Sequence, residues 1–287
     1  MSRTLTFGLQ SLGLGWEELK SDWLGFEAEG WDSLWLPDHL STPNPNAEPG
    51  DFLEAWMALA AMAQLTSRVR LGVLVSSNTF RHPAVLAKMA VTVDHISNGR
   101  LDLGVGAGWF EREHQEFGLE LPPIGERVSR FAEALALIDE FLTNDLTTFE
   151  GEFYQLKDAP NRPTPVQSPR MPIMVGAHGK RTIGIAARYA DIWNSRGTVE
   201  EMAERTAMVD AAATRVGRDP GSIVRSVSYF PARTDARPWE SVDAFVAWVE
   251  QYRAVGYTDF LFEAPGPADR ETASRIARDV LPQFRAG

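Results

Sequence analysis

Residues 69–118 read VRLGVLVSSNTFRHPAVLAKMAVTVDHISNGRLDLGVGAGWFEREHQEFG, and the fold is decided there. Val69 to Val75 is a short apolar, β-branched run, the pattern of a buried strand. Pro83 then opens a helix at the position where its missing N–H costs nothing. Ala84, Ala87, Lys88 and Val91 follow at helical spacing to about His95, and Asn98-Gly99 closes the helix. Arg100 to Val105 is a second buried strand that ends in Gly106-Ala107-Gly108-Trp109. Strand, helix and parallel strand make one βαβ unit, so the residues after each strand share a face of the sheet.

The same plan repeats on both sides of this unit. Strands are expected at Leu5–Gln10, Ser33–Pro37, Met171–Val175, Asp191–Trp193, Ile223–Phe230 and Asp259–Phe262. Helices are expected at Trp16–Glu29, Phe52–Leu65, Gly125–Thr143, Lys180–Tyr189, Val199–Val216, Trp239–Val255 and about Ala268–Phe284. Between them lie a Pro-, Asn- and Gly-rich loop (Ser41–Gly50), a strand pair around Glu150-Gly151 (Thr147–Leu156) and a proline-rich loop (Ala159–Pro172). About eight strand–helix repeats in 287 residues predict an α/β (β/α)8 barrel. One domain is expected over 1–287, with its extra length at about 144–170. An open doubly wound sheet has the same local pattern, but no dinucleotide fingerprint supports it.

Composition narrows the chemistry. The chain has no cysteine, which excludes disulfides, thiolate metal sites and a cysteine nucleophile. Its formal net charge of −11 argues against nucleic acid or an anionic membrane as partner. No apolar run approaches spanning length, and with a strand starting at Leu5 there is no room for a signal peptide, so a cytoplasmic location is expected.

Catalytic groups of such a barrel come from the loops after the strands. His39, His82, His114 and His178 each follow a predicted strand, while His95 falls at the opposite face. Any one of them is ordinary as a hydrogen-bonded loop residue; four together point to a site. A carboxylate stands beside a histidine at only one strand end, Asp38-His39, so no metal site is expected. No G-x-S-x-G elbow occurs either. Gly104-Val105-Gly106-Ala107-Gly108 has Trp109 where a dinucleotide loop needs glycine. It reads equally as a packing turn or as bare backbone for a flat ligand. Gly176 to Gly179 leads straight into a helix bearing Lys180, Arg181 and Thr182, which suits either a phosphate or a plain turn with solvated cations.

Taken together, LWLPDHL (Leu34 to Leu40), residues 79–118, PPIGER (Pro122 to Arg127) and PIMVGAHGKRTIGIAARYADIWN (Pro172 to Asn194) resemble the luciferase-like monooxygenase superfamily. The resemblance is greatest to its coenzyme F420-dependent oxidoreductases and covers nearly the whole chain. It implies a bacterial luciferase-like (β/α)8 barrel with a deazaflavin at the carboxyl ends of the strands. It also implies hydride transfer to or from an organic substrate. His39 matches the proton donor or acceptor, and Asp38 matches the residue that orients it or bonds the cofactor. Leu74-Val75 falls where the family carries a non-prolyl cis peptide bulging against the ring. Ser76, Ser77, Gly106, Ala107 and Gly108 match cofactor contacts, and Gly176, Ala177, His178 and Gly179 match the loop for the ribityl chain and phosphate.

Two features depart from the sugar-phosphate dehydrogenases of this branch. Trp109 stands where they carry a glutamate, and their substrate lysines have no evident counterpart among Lys20, Lys88, Lys157 and Lys180. Trp109, Asn194 and Arg196 are therefore expected to meet a more apolar or aromatic substrate. The alternatives are an FMNH2-dependent monooxygenase, with FMN in the same mouth, and a non-catalytic flavin-binding protein. A homodimer fits the family's habit and the exposed apolar positions of the early helices.

Overall fold

The computed structural model describes residues 4–44 and 50–286; the middle of the Ser41–Gly50 loop lies outside them. Eight parallel strands form a closed barrel: β1 (Thr6–Gln10), β2 (Ser33–Leu36), β3 (Arg70–Val73), β4 (Leu101–Gly106), β5 (Ile173–Gly176), β6 (Ile192–Ser195), β7 (Val224–Tyr229) and β8 (Asp259–Glu263). Each pairs with its sequence neighbour and β8 returns to β1, with Thr6 opposite Asp259. The open doubly wound alternative is thereby excluded. β3 and β4 pair only at Leu71–Leu101 and Gly72–Asp102. The chain then breaks at a cis Leu74–Val75 peptide and rejoins β4 through Ser76 and Ser77.

Around the barrel run α1 (Trp16–Glu29), α2 (Ala55–Leu65), α3 (Pro83–Ser97), the six-residue α4 (Glu111–Glu116), α5 (Ile124–Thr143), α6 (Lys180–Tyr189), α7 (Val199–Arg215) and α8 (Val242–Arg253). A last helical stretch, Arg270–Ala286, contains a π turn at Ile276–Val280. Alternation along the strands sends Phe7 and Leu9 outward into the helix layer and leaves Thr6, Gly8 and Gln10 inside. The interior is filled by Trp35, Leu74, Met174 and Leu261, with Val75 and Phe230 above them. Trp35 fits only because Gly72 faces it: a Cβ there would lie 2.5 Å from the indole.

Three expectations shift. The helix expected from Phe52 starts at Ala55, because the Glu54 carboxylate caps it through the Met57 N–H (2.7 Å). The expected strand pair is a hairpin of Leu146–Glu150 with Gln155–Pro160, reaching into what read as proline-rich loop. Its turn is held by Glu133 of α5, which accepts the N–H groups of Glu152, Phe153 and Tyr154. Helix α4 was not expected at all, since six residues are too few to show a helical period.

Candidate active site

The carboxyl ends of the strands form the mouth of the barrel. β2 delivers Asp38 and His39, and their side chains go to different neighbours. Asp38 is 5% exposed; it accepts the Ser77 N–H (2.8 Å) and both arms of Arg81 (2.7 and 3.0 Å). Burial pushes its carboxyl above the ordinary range, and the Arg81 guanidinium works against that rise. Asp38 thus ties the ends of β2 and β3 together, and no bond joins it to His39.

His39 is oriented instead by Glu113 of α4. The Glu113 carboxylate, 1% exposed, lies 3.1 and 3.2 Å from His39 Nδ1 and accepts the N–H groups of Leu40 (2.5 Å) and Ser41 (3.3 Å). An ionised carboxylate only accepts, so Nδ1 carries the proton and donates it to Glu113. Nε2 is left without a hydrogen-bond partner among the described residues. The imidazole stands edge-on to Trp109 (5.7 Å) and Phe110 (6.1 Å). Glu113 escaped the sequence reading because its helix was not foreseen. Its signal was a carboxylate four residues after Trp109, one turn of helix away.

The floor of the mouth is built by Val75. A Cβ on Gly106 would lie 2.6 Å from Val75 Cγ2, and one on Gly176 would lie 3.0 Å from the same atom. The glycine turn after β4 is therefore a packing turn first, because only bare backbone admits the Val75 side chain. The Gln10 amide fixes this corner from below by donating to the Leu74 carbonyl (2.9 Å). Gly108, at φ 82°, approaches the hydroxyls of Ser77 and Thr79.

The other candidates divide clearly. Leu74, Ser76, Ser77, Gly106 and Ala177 are buried, whereas Val75, Ala107, Gly108 and Gly176 are half-open and His178 and Gly179 are exposed. The Ser76 hydroxyl accepts from the Trp56 indole N–H (3.1 Å). Asn194, 6% exposed, spends its amide on Ser226 and Ser228, so it is turned into the barrel rather than out to the mouth. His114 is buried between Thr79 (2.7 Å) and the Phe110 carbonyl (2.7 Å), and His82 caps α3 through the Ala84 N–H (3.2 Å). Of the four loop histidines, only His39 and His178 belong to the mouth.

His178 Nδ1 lies 2.8 Å from the Ser195 hydroxyl. Loss of water around that edge of the ring, then the charges of Arg196 and Arg205, push His178 down to about 4. Beyond it, α6 begins at Lys180, with Gly179 as its N-cap and no side chain capping its first N–H groups. Arg196 follows β6, half-buried. Desolvation and the charges of Arg233 and Arg205 lower its pKa from the ordinary arginine value. No group of three or more metal-ligating side chains occurs among the described residues, and no described helix is long and apolar enough to cross a membrane.

Residues 15–283 match the family model of the luciferase-like monooxygenases. The chain belongs to this family. It is 28% identical over 309 residues to an F420-dependent glucose-6-phosphate dehydrogenase of Amycolatopsis mediterranei, covering 91% of this chain and 92% of that one. It is 32% identical over 232 residues to a phthiodiolone/phenolphthiodiolone dimycocerosates ketoreductase of a Mycobacterium species, covering 74% and 60%. Among solved structures, an F420-dependent secondary alcohol dehydrogenase in complex with an F420-acetone adduct superposes with a TM-score of 0.87 at 18% identity, covering 99% and 100%. At that identity the likeness is one of fold.

Proposed function

We propose that this protein is a coenzyme F420-dependent oxidoreductase that moves a hydride between the deazaflavin and a small organic substrate. The observation that carries this reading is the His39–Glu113 pair: an imidazole held at Nδ1 by a carboxylate, its Nε2 without a partner among the described residues, beside Trp109 at the barrel mouth. The F420-dependent dehydrogenase matched over nine-tenths of both chains supports the choice of cofactor.

The residues present fit the group. The uncapped start of α6, with Lys180 on its first turn, suits a phosphate. Val75 offers an apolar platform between the ends of β3, β4 and β5. When bound, the deazaflavin supplies the ring carbon that carries the hydride. The remaining work falls to the chain. His39 takes or gives the substrate proton at Nε2, and Glu113 keeps the Nδ1 proton in place so that Nε2 stays available. Gly176, Ala177, His178 and Gly179 would hold the phosphate end, Ala107 and Gly108 would border the ring, and Asp38 would hold Ser77 in place beside it. Leu74, Ser76 and Gly106 support that surface from beneath.

The family's description favours a second reading, a monooxygenase using reduced FMN in the same mouth. Fluorescence titration of the purified protein with F420 and with FMN separates the two. Saturable F420 binding is expected; tight FMN binding with none for F420 would overturn the first reading.

A further inference from the structure

The chain carries a large acidic excess, with a net charge of −11, yet cations gather beside His39. Arg233 holds its guanidinium over the Trp109 ring, 5.8 Å from the centroid. The same indole, 53% exposed, meets the edge of His39. Arg233 follows β7 and Arg196 follows β6, on neighbouring strands of the barrel. Neither guanidinium has a carboxylate or carbonyl partner among the described residues. Glu201, on the first turn of α7 after β6, goes to Arg205 (3.7 Å) and to the Thr198 N–H (3.0 Å). Arg205 donates to the Arg196 backbone carbonyl as well as pairing with Glu201.

Arg196 is half-buried and Arg233 exposed, and the two like charges at one rim repel each other and are held together only by the scaffold. Such an arrangement favours an anion that neutralises both, and arginine forks match the planar oxygens of carboxylate or phosphate. Building on the reading proposed above, we infer that Arg196 and Arg233 form an anion subsite. It receives a carboxylate or phosphate group of the substrate while Trp109 stacks on the flat or apolar part nearer His39. The substrate class is then an anionic organic molecule with a planar or apolar body, its reacting carbon next to His39 and its charge on the β6–β7 side. From the sequence, Trp109, Asn194 and Arg196 were expected to meet a more apolar or aromatic substrate; Arg233 was not considered.

The deazaflavin has an anionic tail of its own, so the test separates the two sources. Phenyl phosphate and neutral phenol are titrated into the cofactor-free protein by calorimetry, with Arg196→Ala, Arg233→Ala and Trp109→Ala alongside, and F420 affinity is measured on the same variants. Expected results are phenyl phosphate binding at least about tenfold tighter than phenol, and a loss of about tenfold in each arginine variant. Trp109→Ala weakens both probes, and F420 affinity stays within about threefold. Equal affinity of the two probes, or phenyl phosphate binding unmoved by both arginine substitutions, overturns the subsite. So does a tenfold loss of F420 affinity with the probe unaffected, which assigns the arginines to the cofactor tail. Failure of F420 to bind the unsubstituted protein overturns the cofactor reading instead and leaves the probe arms intact. All variants are checked for an unchanged melting temperature, expected for the arginine variants because neither guanidinium has a hydrogen-bond partner among the described residues.

Discussion

The two ends of the barrel treat charge in opposite ways. At the amino ends of the strands arginines are consumed by protein partners. Arg70 pairs with Asp102, Arg170 bridges Asp139 (2.7 Å) and Asp191 (2.6 Å), and Arg285 meets Asp32 (2.8 Å). Arg100 donates to the carbonyls of Ala63 (2.7 Å), Thr66 (2.9 Å) and Val69 (2.8 Å), from the last turn of α2 to the start of β3. At the carboxyl ends Arg81 is similarly paired, with Asp38 and Glu54, but the Arg196 and Arg233 side chains and His39 Nε2 have no hydrogen-bond partner among the described residues. Groups that hold the fold together have their hydrogen bonds already made. Groups available to a ligand do not, because an occupied donor has little left to offer.

The comparison breaks first at Arg100. Arg100→Ala leaves several carbonyls at the closed end without their charged donor and is expected to cost about 3 kcal/mol of stability. Urea unfolding measures it, and a loss below about 0.5 kcal/mol would mean that this end is held by packing alone.

Asp259 is the exception at the closed end: it is buried at the start of β8 and bonded to the hydroxyls of Thr6 (2.7 Å) and Ser226 (2.5 Å) rather than to a cation. Burial pushes it up to about 6, against those two hydrogen bonds. A carboxyl whose folded pKa exceeds its unfolded value binds its proton more tightly when folded. Its contribution is therefore largest below about pH 4 and is lost as pH rises to about 6, by about 3 kcal/mol. His178, lowered to about 4, has the opposite sign: it favours the folded state above about 6.5 and that contribution is lost as pH falls towards 4, screened by its exposure to solvent. The stability difference between the unsubstituted protein and Asp259→Asn isolates the Asp259 slope. A constant difference between pH 4 and 6 would sink the assignment.

At the open end the effects fall on turnover instead of stability. His39→Ala is expected to lower kcat by about a hundredfold or more, equivalent to about 2.7 kcal/mol, with the melting temperature nearly unchanged. Undiminished turnover would point to the non-catalytic alternative. Glu113→Gln is expected to cost about tenfold, about 1.4 kcal/mol, because an amide can still accept from Nδ1 but no longer fixes the tautomer. The nitrogen NMR shifts of His39 report it directly: a mixture of tautomers in the variant is expected, and an unchanged single tautomer would remove Glu113 from the positioning role.

Local signals in the chain were sufficient for the barrel. Apolar β-branched runs, Pro83 at a helix start and Asn98-Gly99 at its end are decided by neighbours in sequence, and α1 and α6 have the bounds that periodicity predicts. The hairpin boundary and the start of α2 were less legible because Glu133 and Glu54, not propensity, set them. His39 and the α6 loop were proposed from the sequence through motif and resemblance, and the structure shows only where they lie, at the carboxyl ends of β2 and β5. What only the tertiary structure decided is which of the after-strand residues face the mouth. Asn194 is drawn inward by Ser226 and Ser228, Asp38 is claimed by Arg81, and His114 is buried by Thr79 and Phe110. Glu113 reaches back to His39 across 74 residues, and Arg233 covers a tryptophan more than a hundred positions earlier. Strand alternation and capping act over a few residues, but closing the barrel brings distant chain ends to one rim. Pairings across that rim follow from the closure and have no local signature in the chain.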